Sequence, residues 1–184
     1  MAELPRAPID ARLVDLAHAP FDVPPGAPDA LVHAGARAFD PAGPVHVVLF
    51  LHGYSGCVEV LASDAPDARC TPDERRGHAG FGVVAAHDAA DAPTVLVIPQ
   101  LAWMTRDGSP GRFVRDGEAR AFLEEALVSA GVARPLGRVT LAAHSAAFET
   151  TIAIVRHGGL GPLLRDIVLF DALYSGGPVF LGWV

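Results

Sequence analysis

One serine stands where the sequence meets the requirements for nucleophilic attack on a carbonyl group. Ser145 follows the mostly apolar run 139–143 and His144, and small residues and a helix-like segment come after it. The pattern predicts a strand, a sharp turn and a helix, with the serine at the apex. Such a serine has an exposed hydroxyl beside the next backbone N–H and the positive end of the helix, which suits an attack that creates an oxyanion. The simpler interpretation is a helix N-cap, a position that serine favours.

Four hydrophobic runs predict the strands that would position this serine. β-branched and aliphatic residues fill them with little interruption, as in strands covered on both faces. The runs are 45–51, 94–98, 139–143 and 167–170. Helical spacing of apolar residues over 116–130 and 146–157 separates the last three runs. Because strands alternate with amphipathic helices, the sequence predicts the α/β class, with a mostly parallel sheet and helices on both faces.

The first thirty residues differ in composition from the rest of the chain. Proline, alanine and aspartate dominate them, and four prolines lie between Pro20 and Pro28. We predict an N-terminal arm over 1–30, with at most one helical turn near 11–17, and a single α/β domain over 31–184. Within that domain, 30–39 indicates a strand at the sheet edge, and the polar stretch 63–91 indicates a loop or short helix near the site.

Polar residues follow each predicted strand directly. His52 and Gly53 come after the first run, Gln100 after the second, Ser145 after the third and Asp171 after the fourth. The carboxyl ends of parallel strands meet at one edge of a sheet, where ligands bind in open α/β folds. We therefore expect these residues to converge on one site.

The arrangement resembles the α/β-hydrolase superfamily of serine hydrolases. Three segments carry the resemblance in the same order along the chain: LFLHGYSG at 49–56, TLAAHSAA at 140–147 and LFDALY at 169–174. The matching region is 45–174 of the 184 residues. In that superfamily the His-Gly turn follows the third strand, and a minority of members carry the catalytic acid after the sixth.

The resemblance implies a catalytic role for four residues. Ser145 would be the nucleophile and Asp171 the acid that orients a histidine base. The backbone N–H groups of Tyr54 and Ala146 would form the oxyanion hole. For Asp171 the alternative is a cap or turn residue.

Three further residues are expected at the substrate pocket, namely His52, Gly53 and Tyr174. His52 in a His-Gly turn more often braces its loop by hydrogen bonds than acts as a base. Tyr174 either lines the pocket or packs against its own loop.

The chain departs from the superfamily pattern at two points. The usual elbow G-x-S-x-G is here A-H-S-A-A, with Ala147 where glycine normally lets the helix pack close to the neighbouring strand. No histidine follows His157, whereas the superfamily places its base after the eighth strand. We therefore expect a sheet without its last two strands and a base on a segment beyond Val184.

The histidines within the chain are weaker candidates for the base. His144 precedes the serine, so its side chain is expected to point away from the site. His78 and His87 lie in the polar stretch, where a base is conceivable. The others are interpreted as surface or packing residues: His18, His33, His46 and His157.

Composition limits the partners. A net charge of −7 and a pI near 5.5 argue against nucleic-acid or anionic-membrane surfaces. No apolar run reaches the roughly 18 residues that a membrane span needs, and the N-terminus does not resemble a secretion signal. All 14 basic residues are arginine, which with the abundant alanine suggests a GC-rich bacterial genome.

We accordingly expect a cytoplasmic protein with two free thiols, Cys57 and Cys70; a disulfide between them is the alternative. No metal site is expected, because neither cysteine lies in a metal-binding motif.

Two functions from different classes follow. The first is a serine hydrolase that cleaves an ester or amide of a small molecule, with no metal or organic cofactor. The second is a non-catalytic binding or interaction protein on the same scaffold. A nucleotide-binding function has little support, because no glycine-rich phosphate loop follows a strand and the chain has no lysine. The sequence leaves the oligomeric state open.

Overall fold

A computed structural model describes residues 9–39, 43–71 and 73–183. Its strands are β1 (Ile9–Val14), β2 (Ala30–Ala34), β3 (Val45–Leu51), β4 (Thr94–Pro99), β5 (Leu136–His144) and β6 (Leu164–Phe170). They form one sheet in the order β1-β2-β4-β3-β5-β6. The pairs β4–β3, β3–β5 and β5–β6 are parallel, and β2 is antiparallel to both of its neighbours. The predicted α/β class with a mostly parallel sheet is confirmed.

Helices cover both faces of the sheet. They are α1 (Val58–Ala62), α2 (Val83–Ala89), α3 (Glu118–Ser129), α4 (Phe148–His157) and α5 (Gly177–Trp183). Side chains of β3 alternate between the two faces, as the period of a strand requires. Leu49 and Leu51 belong to the larger core with α3 and α4, whereas Val48 and Phe50 pack against the smaller core with α1 and α2.

The predicted strands and helices lie close to the observed ones. The predicted helix over 116–130 is α3, followed by Gly131 with a φ of 82°. The predicted helix over 146–157 begins as a 3₁₀ turn, Ser145–Ala147, and continues as α4. One difference concerns β6, which was expected to be buried on both faces. It is the edge strand of the described sheet, and Val168 and Phe170 are exposed.

Two predictions for the N-terminal part are wrong. Residues 9–14 form a strand rather than the helical turn expected near 11–17, and this strand is the sheet edge. β2 is therefore an inner strand, not an edge strand, and all five of its residues are buried. Pairing with a neighbouring strand overrides weak local preference here. Residues 1–8 of the predicted arm lie outside the described residues, and the division of the chain at residue 30 stays a prediction.

The expectation of two free thiols is also wrong, because Cys57 and Cys70 form a disulfide. Both residues are buried and pack with Val60, Ala68 and Trp103. The bond joins the start of α1 to the polar loop 63–82. Disulfides are typical of oxidising compartments. The cytoplasmic location stays a prediction, and this bond argues against it.

None of the helices in the described ranges is both long and apolar enough to span a bilayer.

Candidate active site

Ser145 occupies a strained position between β5 and α4. Its φ is 55°, in the left-handed region that residues with a side chain rarely adopt. The turn brings Ser145 against Gly53, because a Cβ on Gly53 would lie 2.9 Å from the Cβ of Ser145. Only glycine at position 53 allows this approach without a shift of the backbone. The His-Gly turn and Ser145 are therefore neighbours, as predicted.

The unusual Ala147 fits the elbow. Its side chain is 2% exposed and belongs to the larger core. The hydroxyl of Thr151, one turn later in α4, donates a hydrogen bond of 2.9 Å to the carbonyl of Ala147. The extra methyl group relative to glycine is thus accommodated where the helix meets the sheet.

His52 braces the loop that follows β3. It is 2% exposed. Its Nε2 accepts a hydrogen bond of 3.0 Å from the N–H of Leu101, so Nδ1 carries the proton and donates to the carbonyl of Gly53 at 2.8 Å. Burial lowers the pKa of His52 to about 4. Both ring nitrogens are engaged within the protein, so a brace describes His52 better than a base.

Gln100 fixes the same loop from the end of β4. It is fully buried, and its Oε1 accepts a hydrogen bond of 3.1 Å from the N–H of Val58. Its Nε2 donates to the carbonyls of Gly56 and Leu101 at 3.2 and 2.9 Å. Sequence reasoning located Gln100 at this edge but gave it no role. The available signal was an amide side chain directly after a buried strand.

Tyr54 and Ala146, the expected oxyanion donors, border the same narrow space. A Cβ on Gly108 would lie 3.3 Å from the Tyr54 ring and 3.4 Å from the Ala146 carbonyl oxygen. The next amide, that of Ser55, donates to the Thr105 carbonyl at 2.7 Å and fixes the loop. Among the described residues, the N–H of Tyr54 donates no hydrogen bond.

Ser145 faces a pocket of about 270 Å³. The wall is largely apolar and includes Tyr54, Leu61 and Phe81. His144 also lines it, with its ring centroid 5.6 Å from that of Phe81. The expectation that His144 points away from the site is therefore wrong. A mostly apolar pocket beside a serine suits a small ligand with an apolar portion.

His78 shares this pocket and has an acidic partner. Its Nε2 lies 3.3 Å from Oε1 of Glu74. The other Glu74 oxygen accepts the N–H of Cys70 at 2.8 Å. Burial acts to raise the pKa of Glu74, but these hydrogen bonds outweigh it and the pKa is lowered. The His78 backbone pairs with Ala68 in an isolated bridge, so the loop that carries the pair is held by this bridge and by the disulfide.

Asp171 and Tyr174 contact each other beside Ser145. Asp171 follows β6 with a φ of 47°, and its carboxylate accepts a hydrogen bond of 2.8 Å from the Tyr174 hydroxyl. This bond raises the pKa of Tyr174, and an interaction with the Ser145 side chain acts in the opposite direction. The expected acid and tyrosine thus contact each other near Ser145, and neither of them lines the pocket that Ser145 faces. Within the described ranges no histidine bonds to Asp171.

The remaining histidines lie away from Ser145. His87, weighed as a base, is on α2 and bonds to Thr94 at 2.9 Å. His18 and His157 pair with carboxylates at 3.0 Å. His33 is buried in β2.

No protein-family model and no curated protein sequence matches the chain.

Proposed function

We propose that this protein is a serine hydrolase that cleaves an ester or amide bond of a small molecule, with Ser145 as the nucleophile. The observation that carries the proposal is the left-handed backbone of Ser145 at the apex between β5 and α4, with its side chain at a pocket. Strained backbone of this kind clusters at active sites, where it aims a reactive group. An N-cap serine needs no such conformation, because N-cap residues have β-region backbone.

The α/β-hydrolase resemblance gains support from the strand numbering. His52 directly follows the third strand and Asp171 directly follows the sixth, as the resemblance implies. β1 and β2 complete this numbering. The sequence predicted no strand at β1 and placed β2 at the edge of the sheet. This is a fold-level analogy, and the chemistry has to come from the site.

The proposed acid–base partner within the chain is His78. Three histidines line the pocket, and His52 is engaged through both ring nitrogens. His78 is exposed and has the carboxylate of Glu74 beside it, the arrangement that orients a catalytic imidazole and stabilises the imidazolium formed during the reaction. In this proposal His78 replaces the base that the resemblance implied after the eighth strand.

The proposed reaction has two steps. The Oγ of Ser145 bonds to the substrate carbonyl carbon while its proton passes to His78, and the leaving group departs with that proton. Water then attacks the acyl-serine and loses a proton to His78. The bond between the acyl carbon and Oγ breaks, the acid is released, and His78 returns the proton to Oγ of Ser145. The N–H groups of Tyr54 and Ala146 would stabilise the oxyanion in both steps, and removal of one such donor typically lowers the rate by about 10²–10³. The reaction as proposed uses no cofactor.

One observation favours the alternative, a non-catalytic binding protein. The Asp171 carboxylate bonds to Tyr174 rather than to a histidine, so the acid of the expected triad is engaged elsewhere. In that case the pocket beside Ser145 binds a small molecule without cleaving it.

Covalent labelling tests the proposal. A fluorophosphonate probe is added to the chain and to its Ser145→Ala, His78→Gln, Ser129→Ala and His157→Gln variants, and adducts are followed by intact mass. We expect the wild type to label and Ser145→Ala not to label. Ser129 is an exposed serine on α3, and its variant should label like the wild type.

The histidine arm of the same experiment tests the base. His78→Gln should label at least about 10²-fold more slowly, the usual contribution of general-base catalysis. His157→Gln is the matched control, because His157 is also exposed and paired with a carboxylate. Equal rates for the two variants would remove His78 from the mechanism. A folded wild type that never labels would favour the binding protein.

A further inference from the structure

A second cluster of reactive side chains lies apart from the Ser145 pocket. His33 on β2 faces His87 and Asp88 on α2, and one potential ligand atom of each lies within 4.8 Å of the others. A separate cavity of about 320 Å³ borders all three, and Gly35 also lines it.

Both histidines of this cluster are buried with an unpaired nitrogen. His33 is 6% exposed and His87 8% exposed. Among the described residues, the Nδ1 atoms of both rings have no hydrogen-bond partner. The ring centroids are 5.5 Å apart. Buried polar atoms in proteins normally have a hydrogen-bond partner, and a buried imidazole nitrogen without one lowers the stability of the fold. A cation bound at Nδ1 of His87 would satisfy that atom.

The hydrogen bonds around the cluster orient its ligand atoms. Nε2 of His33 lies 2.7 Å from Oδ1 of Asp88 and bonds to it, so the two atoms are neighbours and a metal between them would replace this hydrogen bond. Nε2 of His87 lies 2.9 Å from the Thr94 hydroxyl, which leaves Nδ1 for a metal. Metal-bound histidines typically donate their other N–H to such an outer partner.

The dimensions suit a zinc ion. Zinc binds imidazole and carboxylate at about 2.0–2.2 Å, so tetrahedral ligand atoms lie roughly 3.3–3.5 Å apart. The ligand atoms lie within 4.8 Å of one another, and a side-chain rotation that widens the 2.7 Å contact between His33 and Asp88 would bring them toward this value. Asp88 is free to supply the rotation, because its side chain is 54% exposed. At Gly35 a Cβ would lie 3.5 Å from Oδ1 of Asp88, so glycine keeps the neighbouring space open.

We propose that His33 Nε2, His87 Nδ1 and a carboxylate oxygen of Asp88 bind one Zn²⁺ ion, with the fourth position open to the cavity. The ion ties β2 to α2. The proposal is independent of Ser145 chemistry, because the two cavities share no lining residue. The sequence predicted no metal site, because neither cysteine lies in a metal-binding motif. His33 and His87 are 54 positions apart and meet only in the fold.

Zinc titration of the tag-free, chelator-stripped chain tests this site. Isothermal calorimetry with zinc chloride should show one equivalent bound by the wild type. Asp88→Asn should weaken binding at least about tenfold, since loss of an outer partner alone costs about 10–100-fold. His157→Gln is the control, because it removes an exposed histidine–carboxylate pair that lacks a third ligand. It should bind zinc like the wild type.

Imidazole NMR signals give a readout that does not depend on a variant's folding. Zinc should shift the signals of His33 and His87 in the wild type and leave the His157 signal in place. The proposal is overturned if the wild type binds no equivalent of zinc, if Asp88→Asn and His157→Gln bind equally well, or if zinc moves the surface histidine signals instead.

Discussion

The Tyr174 hydroxyl donates a hydrogen bond of 2.8 Å to the Asp171 carboxylate, next to the side chain of Ser145. In Ser-His-Asp hydrolases the carboxylate bonds a histidine and holds it toward the serine. Here a phenol takes that place. A phenol with a raised pKa stays protonated near neutral pH, and the single O–H of Tyr174 is donated to Asp171, so Tyr174 is a poor acceptor for the Ser145 proton. The proposed base is therefore His78, whose carboxylate partner is Glu74 and not Asp171.

Tyrosine titration measures the Tyr174–Asp171 contact directly. The chain has two tyrosines, so a Tyr54→Phe background isolates Tyr174. Ionising the phenol beside a carboxylate places two negative charges together, so absorbance at alkaline pH should report a pKa for Tyr174 above the ordinary value of about 10. Asp171→Asn should move it back down. If the pKa of Tyr174 is the same with and without Asp171→Asn, the contact does not form in solution.

Gly53→Ala should disrupt the elbow. The new Cβ would lie 2.9 Å from Cβ of Ser145 and 3.2 Å from the carbonyl oxygen of His144, so the backbone has to shift. Overpacking of this kind typically costs about 1–3 kcal/mol, and the fluorophosphonate rate should fall with it. Gly182→Ala is the control, because nothing lies within 4 Å of a Cβ there and alanine suits a helix. Urea unfolding should give a lower stability for Gly53→Ala than for Gly182→Ala. Equal stability of the two variants would contradict the close approach of Gly53 to Ser145.

Reduction of Cys57–Cys70 should destabilise the loop that carries His78. The cysteines are 13 positions apart, and a bridge closing a loop of this size contributes about 3 kcal/mol in the chain-entropy model. Thiol counting on the denatured chain should find no free thiol before reduction and two afterwards. Cys57→Ser/Cys70→Ser should then unfold at lower urea than the oxidised wild type and resemble the reduced one. Two free thiols in the oxidised sample would show that Cys57 and Cys70 do not form a disulfide.

Acid should weaken the fold through His52. Its pKa is about 4 in the folded chain and near 6.5 when unfolded, so between these values the unfolded state binds a proton that the folded state does not. Stability is then complete above about pH 6.5 and falls as pH drops toward 4, by on the order of 3 kcal/mol. Urea unfolding at several pH values should show this loss in the wild type and a smaller one in His52→Gln. Parallel pH profiles for the two would contradict the burial of a neutral His52.

The sequence by itself determined the class of the fold and the position of Ser145. Continuous β-branched runs specify buried strands through local composition, and helical spacing specifies the covering helices, so β3, β4, β5, α3 and α4 were predicted close to their observed bounds. The convergence of His52, Ser145 and Asp171 followed from the rule that parallel strands present their carboxyl ends at one edge.

Only the tertiary structure decided the features that depend on partners distant in sequence. β1 pairs with β2 at the edge of the sheet, a placement that its six residues alone do not specify. The disulfide depends on the fold that brings Cys57 within 5.7 Å of Cys70, measured between Cα atoms. His33 likewise meets His87 and Asp88 only because β2 and α2 come together in the fold. Composition and periodicity report how each residue relates to its chain neighbours and to water, whereas these contacts arise from the packing of separate segments, which local patterns do not encode.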